Sequence, residues 1–374
     1  MKHVSPVLII PLALGLASSA RAQALSLPPS GGNQVSSVTQ GIGLVRVSVD
    51  YSSPDVAGRQ GKIWGELVTY GYAKFGFGTC GEKCPWRAGA NENTILTTSH
   101  ALQVEGQALP AGRYGVHMIP GEKTWTVIFS KSSDAWGSYF YEEKNDALRV
   151  TVTPKKAPFT EYLNYVFTER KADQATLEMQ WDELAVPIRL TVPNLNALHV
   201  AQIREELTGS PGFSDVRWRQ AANFCLQNDI NLEEGLRWAE YAVKGPFVGQ
   251  ENFSNLTTLA LLQAANGDAK SAQATEKRAF GHATASPGSI HSYGRALLAR
   301  GEKKRALEVF RANAKKHPNQ WPVNVGLGRG YSALGDYKKA AEHIEAAIKQ
   351  APDPGNKANL EKALETLKAG QPMS

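Results

Sequence analysis

The stretch "GRALLARGEKKRALEVF", residues 294–310, decides the fold of the C-terminal half of the chain. Its Gly301 has counterparts 34 residues away on both sides, Gly267 and Gly335, and an alanine follows each glycine after five residues. A fixed period of this length is typical of stacked helical repeats, in which each unit packs only against its neighbours. Small residues allow the two helices of a unit to approach closely, and glycine ends the first helix in a tight turn.

The period is clearest over residues 288–352 and weaker over residues 251–286, where Glu276 takes the place of a large apolar residue. A looser helix pair is predicted over about residues 217–248. The closing stretch "NKANLEKALETLKAG" is predicted to form a capping helix, which a stacked array needs to keep its last apolar face from water. The segment resembles tetratricopeptide repeats. This resemblance implies a surface that binds a protein or peptide partner.

The preceding half has the two-residue period of β-strands. Val45, Val47 and Val49 point one way, whereas the residues between them are polar or charged. Six further runs repeat this pattern, the last two at residues 177–181 and 186–190. Seven or eight antiparallel strands are therefore predicted, and a β-sandwich buries one face of each. Because the period becomes helical after "VPNLNA", we assign the sandwich to residues 25–192 and the helical repeat domain to residues 193–374.

The chain opens with "MKHVSPVLIIPLALGLASSARAQA", which has the features of a secretory signal peptide. Lys2 supplies the basic start, residues 7–17 are apolar, and small residues precede the break. A membrane anchor is the alternative, but the apolar run is shorter than the roughly 20 residues that a spanning helix needs. We predict cleavage of residues 1–24, a periplasmic or secreted location, and no transmembrane segment in the mature chain.

The net charge and the cysteines indicate which ligands and which compartment suit the chain. The formal net charge is +6, and loss of Lys2 and Arg21 leaves 6 − 2 = +4, which does not favour nucleic acid. Cys80 and Cys84 lie four residues apart in a glycine-rich stretch, so a disulfide is predicted, in keeping with an oxidising compartment. A metal site would require two more ligands nearby. Neither a metal nor a cofactor is predicted.

Five stretches in the first half resemble one bacterial family, catalogued as domain of unknown function 2911. In order they are "VDYSSPDVAGRQGKIWGELVTYG", "PWRAGANENT", "LPAGRYGVHMIPGEKTWTVIFSK", "WGSYFY" and "DALRVTV". The resemblance covers about residues 35–190, implies an exported β-rich domain, and brings no reaction with it. This chain departs from the shorter family pattern by the insert "AKFGFGTCGEKCP", which contains both loop cysteines.

The resemblance also selects candidate site residues. An arginine fork binds carboxylate or sulfate, and carboxylate or imidazole groups suit acid–base chemistry. One interpretation is that the side chains around Arg87 bond loop carbonyls and serve only the fold. His117 is expected on a solvated strand face or in a groove wall. The candidate ligand-binding residues are Arg59, Arg87, Asn91, Glu92 and His117.

Known catalytic patterns do not occur in the sequence. No Ser/His/Asp spacing, H-E-x-x-H motif or nucleophile elbow is present, and "GFGTCG" matches a phosphate-loop pattern without the strand and helix that such a loop needs. No catalytic residue is therefore predicted. We expect an exported, non-enzymatic protein whose repeats form an interaction module. The alternative is a sandwich that binds or processes a small ligand or glycan.

Overall fold

The computed structural model describes residues 33–373. The chain divides into two compact units, the first ending at Pro193 and the second beginning at Asn194. The predicted signal peptide, residues 1–24, lies outside the described residues. Within residues 33–373, no helix combines the length and the apolar character that crossing a bilayer requires.

The first unit is an antiparallel β-sandwich, as predicted. One sheet has six strands in the order β1-β2-β3-β6-β7-β8, and the other has four in the order β5-β4-β10-β9. The strands are β1 (Gln34–Ile42), β2 (Val45–Ser53), β3 (Ala90–Thr98), β4 (Leu102–Val104), β5 (Gln107–Leu109), β6 (Gly112–Ile119), β7 (Trp125–Ser130), β8 (Asp146–Val152), β9 (Lys155–Thr168) and β10 (Gln174–Thr191).

Tryptophan side chains join the inner faces of the two sheets. Trp125 on β7 and Trp181 on β10 both make edge contacts with Trp64, at ring-centroid distances of 4.9 and 5.6 Å. Tyr51 on β2 makes a similar contact with Tyr165 on β9, at 4.9 Å. Aromatic pairs in such edge arrangements stabilise a core beyond the area that they bury. The apolar alternation in the sequence therefore marks the faces that meet.

The structure corrects the predicted strand pattern near the end of the sandwich. Residues 177–181 and 186–190 belong to one long strand, β10, and not to two. The pairing of β10 with β9 shifts register on both sides of Asp182, whose φ is +55°. A bulge changes the side that the following residues face while pairing continues. This irregularity interrupts the alternation, which in the sequence resembles a break between strands.

The second unit consists of helices, as the repeat period predicts. Helices α2 to α9 form four successive pairs, and α10 closes the array. The helices are α1 (Leu195–Glu206), α2 (Asp215–Asn228), α3 (Leu232–Lys244), α4 (Phe253–Ala265), α5 (Ala269–Gly281), α6 (Pro287–Ala299), α7 (Lys303–Lys316), α8 (Trp321–Ala333), α9 (Tyr337–Lys349) and α10 (Pro354–Lys368).

The repeated small residues have the roles that their spacing indicates. Gly301 lies between α6 and α7 with φ +79°, in the left-handed region that favours glycine. Gly294 lies under the next helix, and a Cβ atom at this position would be 2.3 Å from the ring of Phe310. Gly328 and Ile344 repeat this contact 34 residues later, with a corresponding distance of 2.5 Å.

Glu276 on α5 occupies the position that Phe310 and Ile344 occupy in the later repeats, and polar contacts compensate for the exchange. Its carboxylate accepts a hydrogen bond from the Tyr293 hydroxyl at 2.6 Å and another from Arg305 Nη2 at 3.0 Å. Arg305 also donates to the Tyr293 hydroxyl at 2.9 Å. We call these three side chains the Glu276 network. The weaker repeat match over residues 251–286 thus reflects a polar contact in place of an apolar one.

Candidate functional site

A cavity of about 860 Å³ in the sandwich unit brings together three of the five candidate residues. Arg59, Arg87 and Asn91 all lie in its wall. Its size is typical of a site for a small molecule, and such sites combine apolar walls with a few polar groups. The aromatic wall residues are Tyr70, Tyr72, Phe75, Trp86 and Trp181.

Two backbone turns directly after Arg87 help to place its side chain in the wall. Ala88 and Asn91 each have φ +54°, so the chain bends before β3 and again at its second residue. Arg87 Nη1 donates a hydrogen bond of 2.6 Å to the carbonyl oxygen of Asn91. This contact agrees with the interpretation that Arg87 supports the loop, but it uses only part of a guanidinium that carries five N–H donors.

The rest of the Arg87 side chain lies against the turn at residues 137–139. The guanidinium carbon is 4.9 Å from the centroid of the Tyr139 ring. A Cβ atom on Gly137 would be 2.6 Å from the same carbon, so only glycine at this position admits the guanidinium. The turn and the arginine therefore form one continuous part of the wall.

Arg87 is the unbalanced cation of the cavity. Arg59 is 3.4 Å from Asp55, and Lys74 is 3.2 Å from Glu82, so each of these two cations has a carboxylate partner. Among residues 33–373, no carboxylate oxygen lies within 4.0 Å of the Arg87 guanidinium, so Arg87 forms no ion pair. A half-buried cation without a counter-charge attracts an anionic group to the cavity.

His117 lies behind the cavity wall. The interpretation that it is solvated is wrong, because the residue is only 2% exposed. Its Nδ1 is 2.8 Å from the hydroxyl oxygen of Ser138, which is itself a wall residue. Burial, and secondarily the charge of Arg87, lower the pKa of His117 to about 4. The ring is therefore neutral at neutral pH and reaches the cavity only through Ser138.

Glu92 is not part of this cavity. Its side chain is on an exposed position of β3 and accepts a hydrogen bond from the Ser52 hydroxyl at 3.2 Å. Glu92 neighbours Asn91 in sequence, but successive residues of a strand point to opposite faces. Asn91 and Glu92 are therefore adjacent in the sequence motif but do not belong to the same site.

Sequence reasoning missed the wall residues Ser138, Trp86 and Trp181 as members of one site. They come from separate segments, and no local pattern links them. The available signals were the family-like stretches "PWRAGANENT", which contains Trp86, and "WGSYFY", which contains Ser138.

The insert is attached to the same turn. Its Cys80 and Cys84 form the predicted disulfide. The backbone N–H groups of Thr79 and Cys80 both donate to the carbonyl oxygen of Tyr139, at 2.9 and 3.3 Å. Phe77 stacks on the Tyr139 ring at 4.6 Å. The described part of the chain contains no group of three or more His, Cys, Asp or Glu residues placed to hold a metal ion.

A second cavity, of about 730 Å³, lies in the helical unit beside α5 and α7. Glu276 and Arg305 are in its lining, but both are committed to the Glu276 network. Its central charges are therefore already balanced. The sandwich cavity differs because the charge of Arg87 is not.

Comparison with known proteins finds one family match, and it falls in the sandwich. Residues 33–190 match the model of a family described as "Protein of unknown function (DUF2911)". The sandwich carries the DUF2911 pattern. The cavity, the turn with Ser138 and the buried His117 all lie within the DUF2911 segment. The family description assigns no activity to any of them.

Solved structures similar to the chain include tetratricopeptide-repeat proteins. YrrB, described as a TPR protein with an unusual peptide-binding site, is 20% identical, and the match covers 45% of this chain and 84% of YrrB with a TM-score of 0.26. MamA from AMB-1 is 13% identical, with 42% and 87% covered and a TM-score of 0.24. No curated protein matches the chain. The helix pairs and their glycine turns themselves define the repeats after the DUF2911 segment.

Proposed function

We propose that the DUF2911 sandwich is a binding domain for a small carboxylate ligand. The observation that carries this proposal is Arg87, a half-buried cation without a carboxylate partner in the wall of an aromatic cavity. A guanidinium binds a carboxylate through paired, charge-assisted hydrogen bonds.

The other wall residues indicate the rest of the ligand. Trp86 and Trp181 are part of the aromatic wall, and such surfaces suit a flat apolar body attached to the carboxylate. Benzoate has this combination of a ring and a carboxylate and is a suitable probe.

Ligand-observed saturation-transfer NMR tests the proposal with two probes of similar shape. We expect the full-length protein to bind benzoate and to bind benzyl alcohol, which lacks the charge, far more weakly. Loss of a hydrogen bond to a charged group costs roughly 1.5–3 kcal/mol, so Arg87→Ala should weaken benzoate binding by about 10- to 100-fold. Arg46→Ala removes an exposed arginine of the same domain and should leave binding unchanged.

A structural role for Arg87 gives a different result. If Arg87 served only to hold the carbonyl of Asn91, Arg87→Ala would lower the thermal midpoint and benzoate would not bind the wild type. Equal binding of benzoate and benzyl alcohol would also contradict the proposal, because the unbalanced charge would then have no effect. Arg87→Lys keeps the charge but loses the fork, and it should show intermediate affinity.

A second candidate function concerns the helical unit, which we propose binds an acidic protein segment. Arg295 on α6 and Arg329 on α8 are equivalent positions 34 residues apart. Arg295 is exposed, and no carboxylate among residues 33–373 forms an ion pair with it. Burial, and secondarily the charge of Arg295, lower the pKa of Arg329. An exposed cation without an ion-pair partner on a repeat surface favours a negatively charged partner.

Fluorescence anisotropy with a labelled hexaglutamate peptide tests this second function. Binding by the full chain should weaken with added salt and should fall in Arg295→Ala. Lys362→Ala removes an exposed cation from α10 and serves as the matched control. Equal loss in both variants would show a general charge effect and would contradict a site at α6 and α8.

Export remains part of the proposed function. The signal-peptide features of residues 1–24 support it, and so does the disulfide between Cys80 and Cys84, since such bonds persist in oxidising compartments. Intact-mass analysis of protein from the culture medium or the periplasm should show a chain beginning near Gln23 or Leu25. Retention of Met1 in a cytoplasmic fraction would contradict it.

A further inference from the structure

The buried pair of Ser138 and His117 has no role in ligand binding alone. Ser138 lies in the cavity wall, and its hydroxyl oxygen is 2.8 Å from Nδ1 of His117. We propose that Ser138 is a nucleophile for acyl transfer, with His117 as its general base, and that the carboxylate bound at Arg87 is the product of ester hydrolysis. This inference rests on the proposed carboxylate site.

The pair has the geometry that nucleophilic catalysis needs. A serine hydroxyl is a weak nucleophile until a base within hydrogen-bond reach, about 2.6–3.2 Å, takes its proton. His117 is on β6, which is paired with β3 on one side and β7 on the other. Its ring also makes an edge contact with Tyr141 at 5.2 Å. The base is therefore held within the sheet, whereas the nucleophile, which is only 1% exposed in the free protein, is on the turn that borders the cavity.

Asn93 on β3 lies beside the imidazole ring of His117. A Cβ atom on Gly115 would lie 3.0 Å from Asn93 Nδ2 and 3.4 Å from His117 Nε2, so the two side chains border the same small space. Asn93 Nδ2 donates to the carbonyl oxygens of Ser132 and Ser133, and the Oδ1 atom has no donor among the described residues. Asn93 therefore ties the chain at Ser132 and Ser133 to β3 beside the imidazole ring.

Arg87 is the group that receives the developing negative charge. It packs against Gly137 and Tyr139, the two neighbours of Ser138, so an oxygen on a carbon attached to Ser138 forms beside the guanidinium. Preorganised cations and hydrogen-bond donors at this position stabilise a tetrahedral intermediate. The same contacts then hold the carboxylate product.

The reaction balances with water as the only co-reactant. Ser138 Oγ bonds to the carbonyl carbon of the ester while its proton passes to His117 Nδ1. The carbon–oxygen bond to the alcohol breaks, and the alcohol takes that proton from His117. A water molecule then attacks the acyl group, gives one proton to His117, and displaces Ser138, which recovers this proton. The products are one carboxylic acid and one alcohol.

The charge of Arg87 links binding to catalysis. In the free protein this charge disfavours the protonated ring of His117. When an oxyanion forms beside Arg87, its negative charge offsets the repulsion, so the ring accepts the proton at the step that requires it. An ester that places its carbonyl away from Arg87 lacks this compensation and should react slowly.

A fluorophosphonate probe tests the proposal on the full-length protein, because such probes form a stable bond to activated serines. Intact mass should show one adduct on the wild type, and peptide mapping should place it on Ser138. Ser138→Ala should give none. Ser130→Ala removes another buried serine, from β7, and should label like the wild type. Labelling of His117→Gln should be at least about 100-fold slower than that of the wild type, because a general base typically accelerates a reaction by 10²–10⁴-fold.

Binding and labelling separate this proposal from the one on which it rests. Benzoate should slow labelling of Ser138 in the wild type, and Ser138→Ala should still bind benzoate. A protein that binds benzoate but forms no adduct would overturn the nucleophile and leave the carboxylate site standing. Labelling that survives in Ser138→Ala, or that is unchanged in His117→Gln, would overturn it as well.

Discussion

The two units of this protein form their contacts over different distances along the chain. In the helical unit, the Glu276 network joins residues that are at most 29 apart in sequence. In the sandwich, Ser53 donates to the carbonyl oxygen of Leu163, 110 residues away, and Tyr51 contacts Tyr165. A repeat array is stabilised by neighbouring pairs, whereas a sandwich is stabilised by segments that meet only in the folded state. We therefore expect a substitution to affect only the neighbouring repeats in the helical unit, and to affect the whole domain in the sandwich.

The largest effect is expected from matched truncations of one buried aromatic residue in each unit. Trp125→Ala and Phe310→Ala should each cost about 3–5 kcal/mol of unfolding free energy. Amide hydrogen exchange should show faster exchange across both sheets in Trp125→Ala, because Trp125 contacts the tryptophans that join them. In Phe310→Ala the increase should be confined to α6, α7 and α8, since Phe310 lies against Gly294 and Gly326.

An equal rise of amide exchange in α2 and α8 after Phe310→Ala would contradict the expectation that repeats respond locally. The helical unit would then behave as one cooperative block. Likewise, an effect of Trp125→Ala confined to β7 would show that the two sheets of the sandwich are stabilised separately.

A smaller effect is expected from acid, and it should reach both units. Burial lowers the pKa of His117 and of His291 to about 4, from an ordinary value of 6.5. Between pH 6.5 and 4 the unfolded chain binds a proton at each histidine and the folded chain does not, so stability falls as the pH falls through this window. Each neutral buried histidine therefore contributes stability that is fully present above pH 6.5 and is lost by about pH 4. The loss is on the order of 3 kcal/mol for each histidine.

The two histidines serve as controls for each other. His117→Gln should flatten the pH dependence of amide exchange in the sandwich and leave that of the helices unchanged. His291→Gln should do the reverse. If either variant flattened both curves, the units would not respond to acid independently.

The smallest effect concerns the polar contact between repeats. A double-mutant cycle on Glu276→Ala and Arg305→Ala should give a coupling energy of about 1–2 kcal/mol, within the usual range for contacting residues. The more exposed pair of Glu251 and Arg278, with N–O distance 2.8 Å, should give roughly 0.2–1 kcal/mol. A coupling for Glu276 no larger than this control would show that burial adds nothing to the network.

The sequence was most informative where contacts are periodic. Gly267, Gly301 and Gly335 predicted the turns of the repeats because each unit solves the same packing problem at the same position. The alternation of Val45, Val47 and Val49 likewise predicted a buried strand face. Both signals are local, so a single stretch of chain contains them.

The site was only partly predictable, for the same physical reason. Arg59, Arg87 and Asn91 were found because family-like motifs contain them. Ser138 joins Arg87 and His117 only through a turn whose shape depends on Gly137, and no spacing in the sequence reports that approach. At Asp182 the prediction from sequence was wrong for a different reason. The local bulge interrupts the apolar alternation within β10, and this interruption was interpreted as a strand boundary.

The Glu276 network also restricts how such an array can grow by duplication. If the repeat containing α5 were copied next to itself, Glu276 would meet the counterparts of Tyr293 and Arg305, which are Leu259 and Ser271. A carboxylate facing an apolar side chain would lose both partners, at a cost of several kcal/mol. Repeats with Phe310 or Ile344 at this position carry no such requirement. The order of units in this array is therefore specified by chemistry, and the repeats are not interchangeable.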